Sequence, residues 1–258
     1  MEIWAHRGWS ARYPENTMAS FQAALELGVR GIELDVQLSK DGIPVVLHDD
    51  TVQRTTDGQG RVRDFTWSHL RQLDAGSWFH PRFSGETIPT LGEVLALVQT
   101  RGHLTHVNVE LKATSVGAQD LVDAVWRTVH ATDIASLVLF SSFDPNLLHA
   151  LRRYSRRIRL ALLTPAWNAD AAHAAKEIAA QDIHLDAAHF CTAVLDDVRR
   201  NHHQALRVYT VNQPDAAVHL WRSGVSGIFT DCPDLMLETL VRQGQAELHT
   251  TPPHPASM

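Results

Sequence analysis

Cysteine is scarce in this chain. Two occur among 258 residues, Cys191 and Cys232, and neither stands in a CxxC or zinc-type spacing. A cysteine metal site is not expected, and although the two could in principle pair, two free thiols in a reducing compartment are the expected state. Long apolar runs are also lacking: none approaches about 18 residues, so no transmembrane helix is expected. A first strand-like run, Ile3-Trp4-Ala5, starts almost at Met1 with no charged and apolar leader ahead of it. No signal peptide is read there, and the cytoplasm is the expected location. Basic charge is not in excess either. A formal net charge of −6 argues against nucleic acid or an anionic membrane surface as a general partner. No glycine-rich dinucleotide loop follows the first strand, and neither an internal repeat nor a linker marks a second domain.

What is present is an ordinary globular composition, 44% hydrophobic and 20% charged, enough to bury a sizeable core. Short apolar runs alternate with amphipathic stretches. Strands are expected at 2–6, 31–36, 44–47, 106–111, 137–141, 158–163, 183–186, 206–211 and 226–230. The spacing predicts helices between most of them. Met18, Phe21 and Leu25 share a face before Gly28; Thr90 and Glu93 form a capping box; Asp144 caps and Pro145 takes the first turn; Pro214 and Pro233 open two more. Strand-then-helix alternation argues for a parallel sheet. With 44–47 set aside as a strand extension or hairpin partner, eight βα units remain, and the length fits a TIM (β/α)8 barrel. One domain is expected over 1–248, followed by a disordered tail at 249–258 rich in Pro, Thr and His. Residues 49–88 break the rhythm but include Trp67, Leu70, Leu73, Trp78, Phe79 and Phe83. They are read as a packed insertion after the second strand, at the barrel mouth.

The segment Gly31-Ile-Glu33-Leu-Asp35-Val36 carries the strongest chemical signal. Alternate side chains of a strand share a face, so Ile32, Leu34 and Val36 point under the helices while Glu33 and Asp35 point into the lumen. Residues 107–112 repeat the pattern, with Asn108, Glu110 and Lys112 on the lumen side. Two carboxylates held together in a dry interior need a compensating cation. Three converging carboxylates suit one hard divalent ion, Mg²⁺ or Ca²⁺. The alternative is an ion-pair cluster in which Arg7 and Lys112 neutralise the acids.

Histidine is abundant, at 16 residues, and most positions read as surface or structural. His6 and His48 differ, because each ends an apolar strand on the expected catalytic face. Phosphodiester cleavage needs one group to take a proton from the attacking oxygen and another to protonate the leaving alkoxide, and two imidazoles meet that need. Arg7 and Lys112 supply positive charge for the phosphate. Glu15 and Asn16 open the first helix, where capping and a role in the site are both open readings.

The run His6-Arg7-Gly8, Pro14-Glu15-Asn16-Thr17, Glu33-Leu34-Asp35-Val36, Asp41-Gly42 and Val46-Leu47-His48-Asp49 resembles the glycerophosphodiester phosphodiesterase family. The similarity continues through Arg54-Thr55-Thr56, Gly76-Ser77-Trp78, Ile88-Pro89-Thr90-Leu91, Glu110-Leu111-Lys112, Ser142-Phe143, Tyr209-Thr210-Val211-Asn212 and Thr230-Asp231. It covers the chain from residue 3 to about 240, less clearly over 183–203. The resemblance implies a TIM barrel with an insertion after the second strand, hydrolysing a small-molecule glycerophosphodiester to glycerol 3-phosphate and an alcohol. It implies Glu33, Asp35 and Glu110 as metal ligands, His6 and His48 as the acid/base pair, and Arg7 and Lys112 on the phosphate. Trp78 and Tyr209 are candidates for cation–π contact with a choline-type headgroup, and Asn212 is a supporting candidate. The rival readings are a lipid-directed phospholipase of the same barrel type and a catalytically inactive phosphodiester-binding module.

Overall fold

The computed structural model describes residues 1–101, 106–112, 117–200 and 202–244. The expected tail at 249–258 lies outside them. Eight parallel strands close into a barrel: β1 (Glu2–Ala5), β2 (Gly31–Leu38), β4 (His106–Leu111), β5 (Val138–Ser142), β6 (Arg159–Thr164), β7 (Asp182–Asp186), β8 (Ala205–Tyr209) and β9 (Gly227–Thr230). Each pairs in parallel with its neighbour, and β1 closes the ring by pairing with both β9 and β2. The strand absent from this set, β3 (Pro44–Val46), is antiparallel to β2, with Val36 opposite Val46 and Leu38 opposite Pro44. It is a hairpin partner and not a barrel stave.

The helices that cover the barrel are α1 (Met18–Glu26), α3 (Leu91–Thr100), α4 (Ala118–His130), α5 (Pro145–Arg152), α6 (Ala169–Glu177), α7 (Thr192–Arg200), α8 (Pro214–Ser223) and α9 (Pro233–Arg242). A short α2 (Trp67–Leu70) lies in the insertion. Their starts follow local chemistry. Thr90 and Glu93 cap each other reciprocally, Asp144 accepts from the Asn146 N–H, and Pro214 and Pro233 occupy first turns. In α1 the cap is Thr17, paired with Ser20 in its own capping box, which leaves Glu15 and Asn16 free for other partners.

Strand alternation sorts the two faces. Ile32, Leu34 and Val36 of β2 and Val107, Val109 and Leu111 of β4 join one large core with Leu91, Leu95, Leu121 and Val125 from the helices. The lumen holds a smaller cluster of Trp4, Leu139, Ala161 and Phe229. Below it, Arg207 pairs with Asp182 and Glu2 and lies 5.1 Å from the Trp4 ring centroid. Gly31 is fixed by that ring, since a Cβ there would sit 2.3 Å from Trp4. The lower barrel is thus plugged, and any ligand must enter from the strands' C-terminal end.

The residues between β3 and α3 form a second core from Val52, Val62, Leu70, Ala75 and Ile88 against Val45 and Leu47. Trp78, Phe79 and Phe83 stay outside it. Phe79 meets Phe83, and Phe83 meets Tyr13 of the β1–α1 loop, at centroid distances of 5.7 and 5.4 Å. The insertion is therefore packed internally and docked onto the loop that follows β1. Among the described residues no helix is long and apolar enough to cross a membrane.

Candidate active site

β2 and β4 are adjacent and in register, with Glu33 opposite Asn108 and Asp35 opposite Glu110. That register brings three acids to one point: Glu33, Asp35 and Glu110 each offer a carboxylate oxygen, all within 4.8 Å of one another and all buried. Two cations reach them. Lys112 Nζ lies 2.7 Å from Asp35 Oδ1 and also pairs with Glu110, and Arg7 Nε is 3.2 Å from Asp35 Oδ2. Asn16 Nδ2 donates to the same Asp35 oxygen at 2.8 Å. Asp35 is thereby held far below the usual carboxylate range: burial opposes ionisation, but Lys112, Arg7 and His48 outweigh it. Glu33 is pushed the other way, by burial first and by the Asp35 charge second. Among the described residues its Oε2 accepts the Arg7 backbone N–H alone, at 2.9 Å, and its Oε1 is buried with no partner. Glu110 is raised for the same two reasons. Neither cation reaches Glu33 Oε1, so the ion-pair alternative does not account for that oxygen. The orphaned Oε1, the all-oxygen donor set and the convergence fit a hard metal ion, which this group can hold.

The β1–α1 loop owes its shape to three unusual backbones. Arg7 and Asn16 both have φ of 57°, in the left-handed region, and Gly8 has φ of 80°. A Cβ on Gly8 would lie 2.4 Å from Ser20 Oγ, so the loop can press onto α1 only with glycine there. Asn16 N–H and Ser20 Oγ both donate to the Arg7 carbonyl. This strained turn aims the Arg7 side chain at Asp35 and its N–H at Glu33.

Each imidazole is held through Nδ1 by a carboxylate. His6 Nδ1 is 2.7 Å from Asp231 Oδ1, and Asp231 is itself oriented by Ser10 Oγ and by Asn212, whose Nδ2 donates to Oδ2 at 2.6 Å. His48 Nδ1 is 2.6 Å from Asp49 Oδ1. His48 reaches the site by the hairpin: Leu47 N–H donates to the Asp35 carbonyl at 3.0 Å, and Gln37 Nε2 donates to the Leu47 and Asp49 carbonyls. Burial pushes both imidazoles down. At His6 the Asp231 hydrogen bond and the Glu33 and Asp231 charges overcome it, and the net shift is upward. At His48 burial, with Lys112 and Arg7, outweighs Asp35 and Asp49, and the shift is downward.

His6, Arg7, Glu33, His48, Asn108, Glu110 and Lys112 line one cavity of about 220 Å³, whose other wall is Phe143, Leu163, His184, Tyr209 and Phe229. Of the supporting candidates, Tyr209 is on the wall. Asn16 and Glu15 act from behind it: Glu15 accepts from Arg7 Nη1 at 2.8 Å, and Asn212 braces Asp231. Trp78 does not line the cavity; it packs edge-on against Phe79 and donates to the Ala75 carbonyl. Asp231, Asp49, Arg54 and Phe143 fall within the motifs that carry the family resemblance but received no role in the sequence reading, and His184 lies outside them. Asp49 and Asp231 stand beside chemically read positions, next to His48 and at the end of β9, which was the available signal. His184 gave none, as an alternating position in an apolar strand. It is fully buried with both ring nitrogens unpartnered, and burial with the Arg159 charge pushes it down to about 3.

A plugged parallel barrel thus gathers at its open end an acid triad, two carboxylate-held imidazoles and two cations. A family model for the glycerophosphoryl diester phosphodiesterase family matches residues 6–235. A glycerophosphodiester phosphodiesterase of Caldanaerobacter subterraneus subsp. tengcongensis is 37% identical over 240 residues, covering 93% of this chain and 97% of that protein. One from Bacillus altitudinis is also 37% identical, over 90% of this chain and 95% of its own. A solved phosphodiesterase of Oleispira antarctica, in complex with the product sn-glycerol-3-phosphate, superposes with a TM-score of 0.88 at 30% identity, covering 93% of this chain and 97% of that one. The chain belongs to the glycerophosphoryl diester phosphodiesterase family.

Proposed function

We propose that this enzyme hydrolyses glycerophosphodiesters, such as glycerophosphocholine or glycerophosphoethanolamine, to sn-glycerol 3-phosphate and an alcohol. One observation carries the reading: a buried triad with an unpartnered Glu33 oxygen is flanked, in one cavity, by two imidazoles whose Nδ1 atoms are both held by carboxylates. Glu33, Asp35 and Glu110 hold a divalent cation, Mg²⁺ or Ca²⁺, which supplies charge neutralisation at the phosphate when bound.

The chain's own groups do the rest. Arg7 and Lys112 stand beside the triad and bind non-bridging phosphate oxygens, where negative charge grows as the ester breaks. With Nδ1 engaged, each imidazole presents Nε2 to the substrate. Asp49 is already committed to Arg54, through contacts of 2.6 and 3.0 Å, so it supports a positive ring weakly. His48 is accordingly the neutral ring that takes the proton of the attacking hydroxyl as its oxygen bonds to phosphorus, consistent with its downward shift. Among the described residues the Asp231 carboxylate is met by His6, Ser10 and Asn212 and by no Lys or Arg, and it supports a protonated ring. His6 is accordingly the donor to the leaving alkoxide. The plug beneath the cavity keeps bulk water from reaching it through the barrel floor.

The test is release of glycerol 3-phosphate from glycerophosphocholine, with EDTA stripping and Mg²⁺ or Ca²⁺ add-back. Release that disappears with EDTA and returns with metal supports the proposal. No release with any divalent metal would leave a binding module in its place.

A further inference from the structure

A charge network reaching out from the cavity centres on Arg54, in the insertion. Its planar guanidinium is shared between two acids. Nε and Nη2 donate to the two oxygens of Asp49 at 2.6 and 3.0 Å, and Nη1 and Nη2 donate to the two oxygens of Glu15, both at 2.8 Å. Each acid already holds a pocket residue: Asp49 engages His48 Nδ1, and Glu15 accepts from Arg7 Nη1. Arg54 itself does not line the cavity. The turn that presents it is anchored by buried Val52, Thr55 and Thr56, with Thr56 Oγ1 donating to the Val52 carbonyl.

We propose that Arg54 is a positioning residue for the hydrolysis, tying Asp49 and Glu15 together so that the His48 imidazole and the Arg7 guanidinium are fixed against the phosphate site. The inference rests on the phosphodiesterase reading of the cavity. An isolated exposed ion pair contributes little. Here, however, both ends of the guanidinium are bidentate, and each partner orients a group in the pocket. Only arginine has donors in this fork, because lysine offers a point charge without the plane. Arg54 also spans two segments, the β1–α1 loop and the insertion, that meet as well through the Tyr13–Phe83 ring contact and an Arg82 hydrogen bond to the Arg12 carbonyl. The insertion therefore serves as a brace for the catalytic groups.

The charges facing His48 are Asp35 from β2, Lys112 from the end of β4, Arg7 from the β1–α1 loop and Asp49 beside it. Arg54 offsets Asp49. Without it, Asp49 favours the protonated ring, and the acidic limb of the rate profile moves to higher pH. Asp49→Asn removes the charge and moves that limb the opposite way.

The wild-type enzyme is first shown to release glycerol 3-phosphate from glycerophosphocholine with metal present, which establishes the underlying reading independently. Arg54→Ala and Arg54→Gln are then compared per folded protein, with Arg82→Ala as an insertion arginine whose side chain donates to the Arg12 carbonyl and lies over the Phe83 ring but meets no acid among the described residues. Both Arg54 variants are expected to lose about tenfold or more in kcat with KM within about threefold. Their acidic limb should rise, Arg54→Lys should fail to restore kcat, and added guanidinium should partly rescue Arg54→Ala. Arg82→Ala should behave as wild type. A kcat within about twofold of wild type with an unmoved limb overturns the proposal. So does a loss confined to KM, which would make Arg54 a substrate contact, or a full rescue by lysine.

Discussion

Asp231→Asn isolates what holding an imidazole contributes to catalysis. The substitution keeps the side chain's size but removes a negative charge 2.7 Å from His6 Nδ1. It also replaces one acceptor oxygen by an NH₂ group. Asn212 Nδ2 donates to Oδ2 at 2.6 Å, so the new amide keeps its oxygen there and turns its NH₂ toward the ring. His6 Nδ1 then faces a donor, and the protonated ring loses its partner. A charge-assisted hydrogen bond of this kind is worth about 1.5–3 kcal/mol. At about 1.4 kcal/mol per decade, kcat should fall roughly 10- to 150-fold. His6 lies above its ordinary value partly through this bond. Losing the bond lowers it, so the basic limb of the rate profile moves to lower pH. Glycerol 3-phosphate release, followed continuously through a coupled dehydrogenase across pH 5–9, reads both effects; the pH range brackets the ordinary imidazole value of about 6.5. An unchanged kcat and basic limb in a variant with wild-type thermal stability would refute the assignment of His6 and Asp231 as a working pair.

Three further outcomes are expected. Glu110→Gln removes one of three oxyanionic donors and should weaken Mg²⁺ or Ca²⁺ binding by about tenfold or more in titration calorimetry, whatever its effect on rate; equal affinity would count against the triad as ligands. His184→Leu should flatten the acid sensitivity of folding. The unfolded ring binds a proton below its ordinary 6.5, but the folded ring does so only below about 3, so stability rises with pH across that window. Between pH 7 and 5 the wild type should lose about 2 kcal/mol more than the variant in urea unfolding, and parallel curves would refute this. Gly8→Ala forces a side chain to φ of 80° and into Ser20, and should cost about 1–3 kcal/mol in the same assay; a neutral result would mean the loop relaxes freely.

The barrel was legible because its signals are local. Alternation in 31–36 and 106–111 showed which side chains face the lumen, and caps such as Thr90, Asp144 and Pro233 marked helix starts. The acid triad followed from that alternation, since neighbouring parallel strands need only a common register to bring Glu33, Asp35 and Glu110 together. His48 was chosen as a strand end, yet it arrives by an antiparallel hairpin that folds back to the level of Asp35. What stayed hidden depends on distant pairing. Asp231 meets His6 across 225 residues, and Arg54 meets Glu15 across 39. No periodicity encodes such contacts. Trp78 was drawn in by its aromatic chemistry, but its indole turns back onto its own loop.

The seam where β1 meets β9 has a consequence for the life of the chain. His6 N–H donates to the Thr230 carbonyl, and the imidazole is aimed by Asp231, so the first strand depends on the last. A nascent chain on the ribosome carries its triad from residue 110 onward, yet the His6 imidazole stays unaimed until 227–231 emerge and dock. With His6 as the donor proposed above, turnover is expected only after synthesis has passed that strand, and phosphodiester cleavage would then report that the ring has shut.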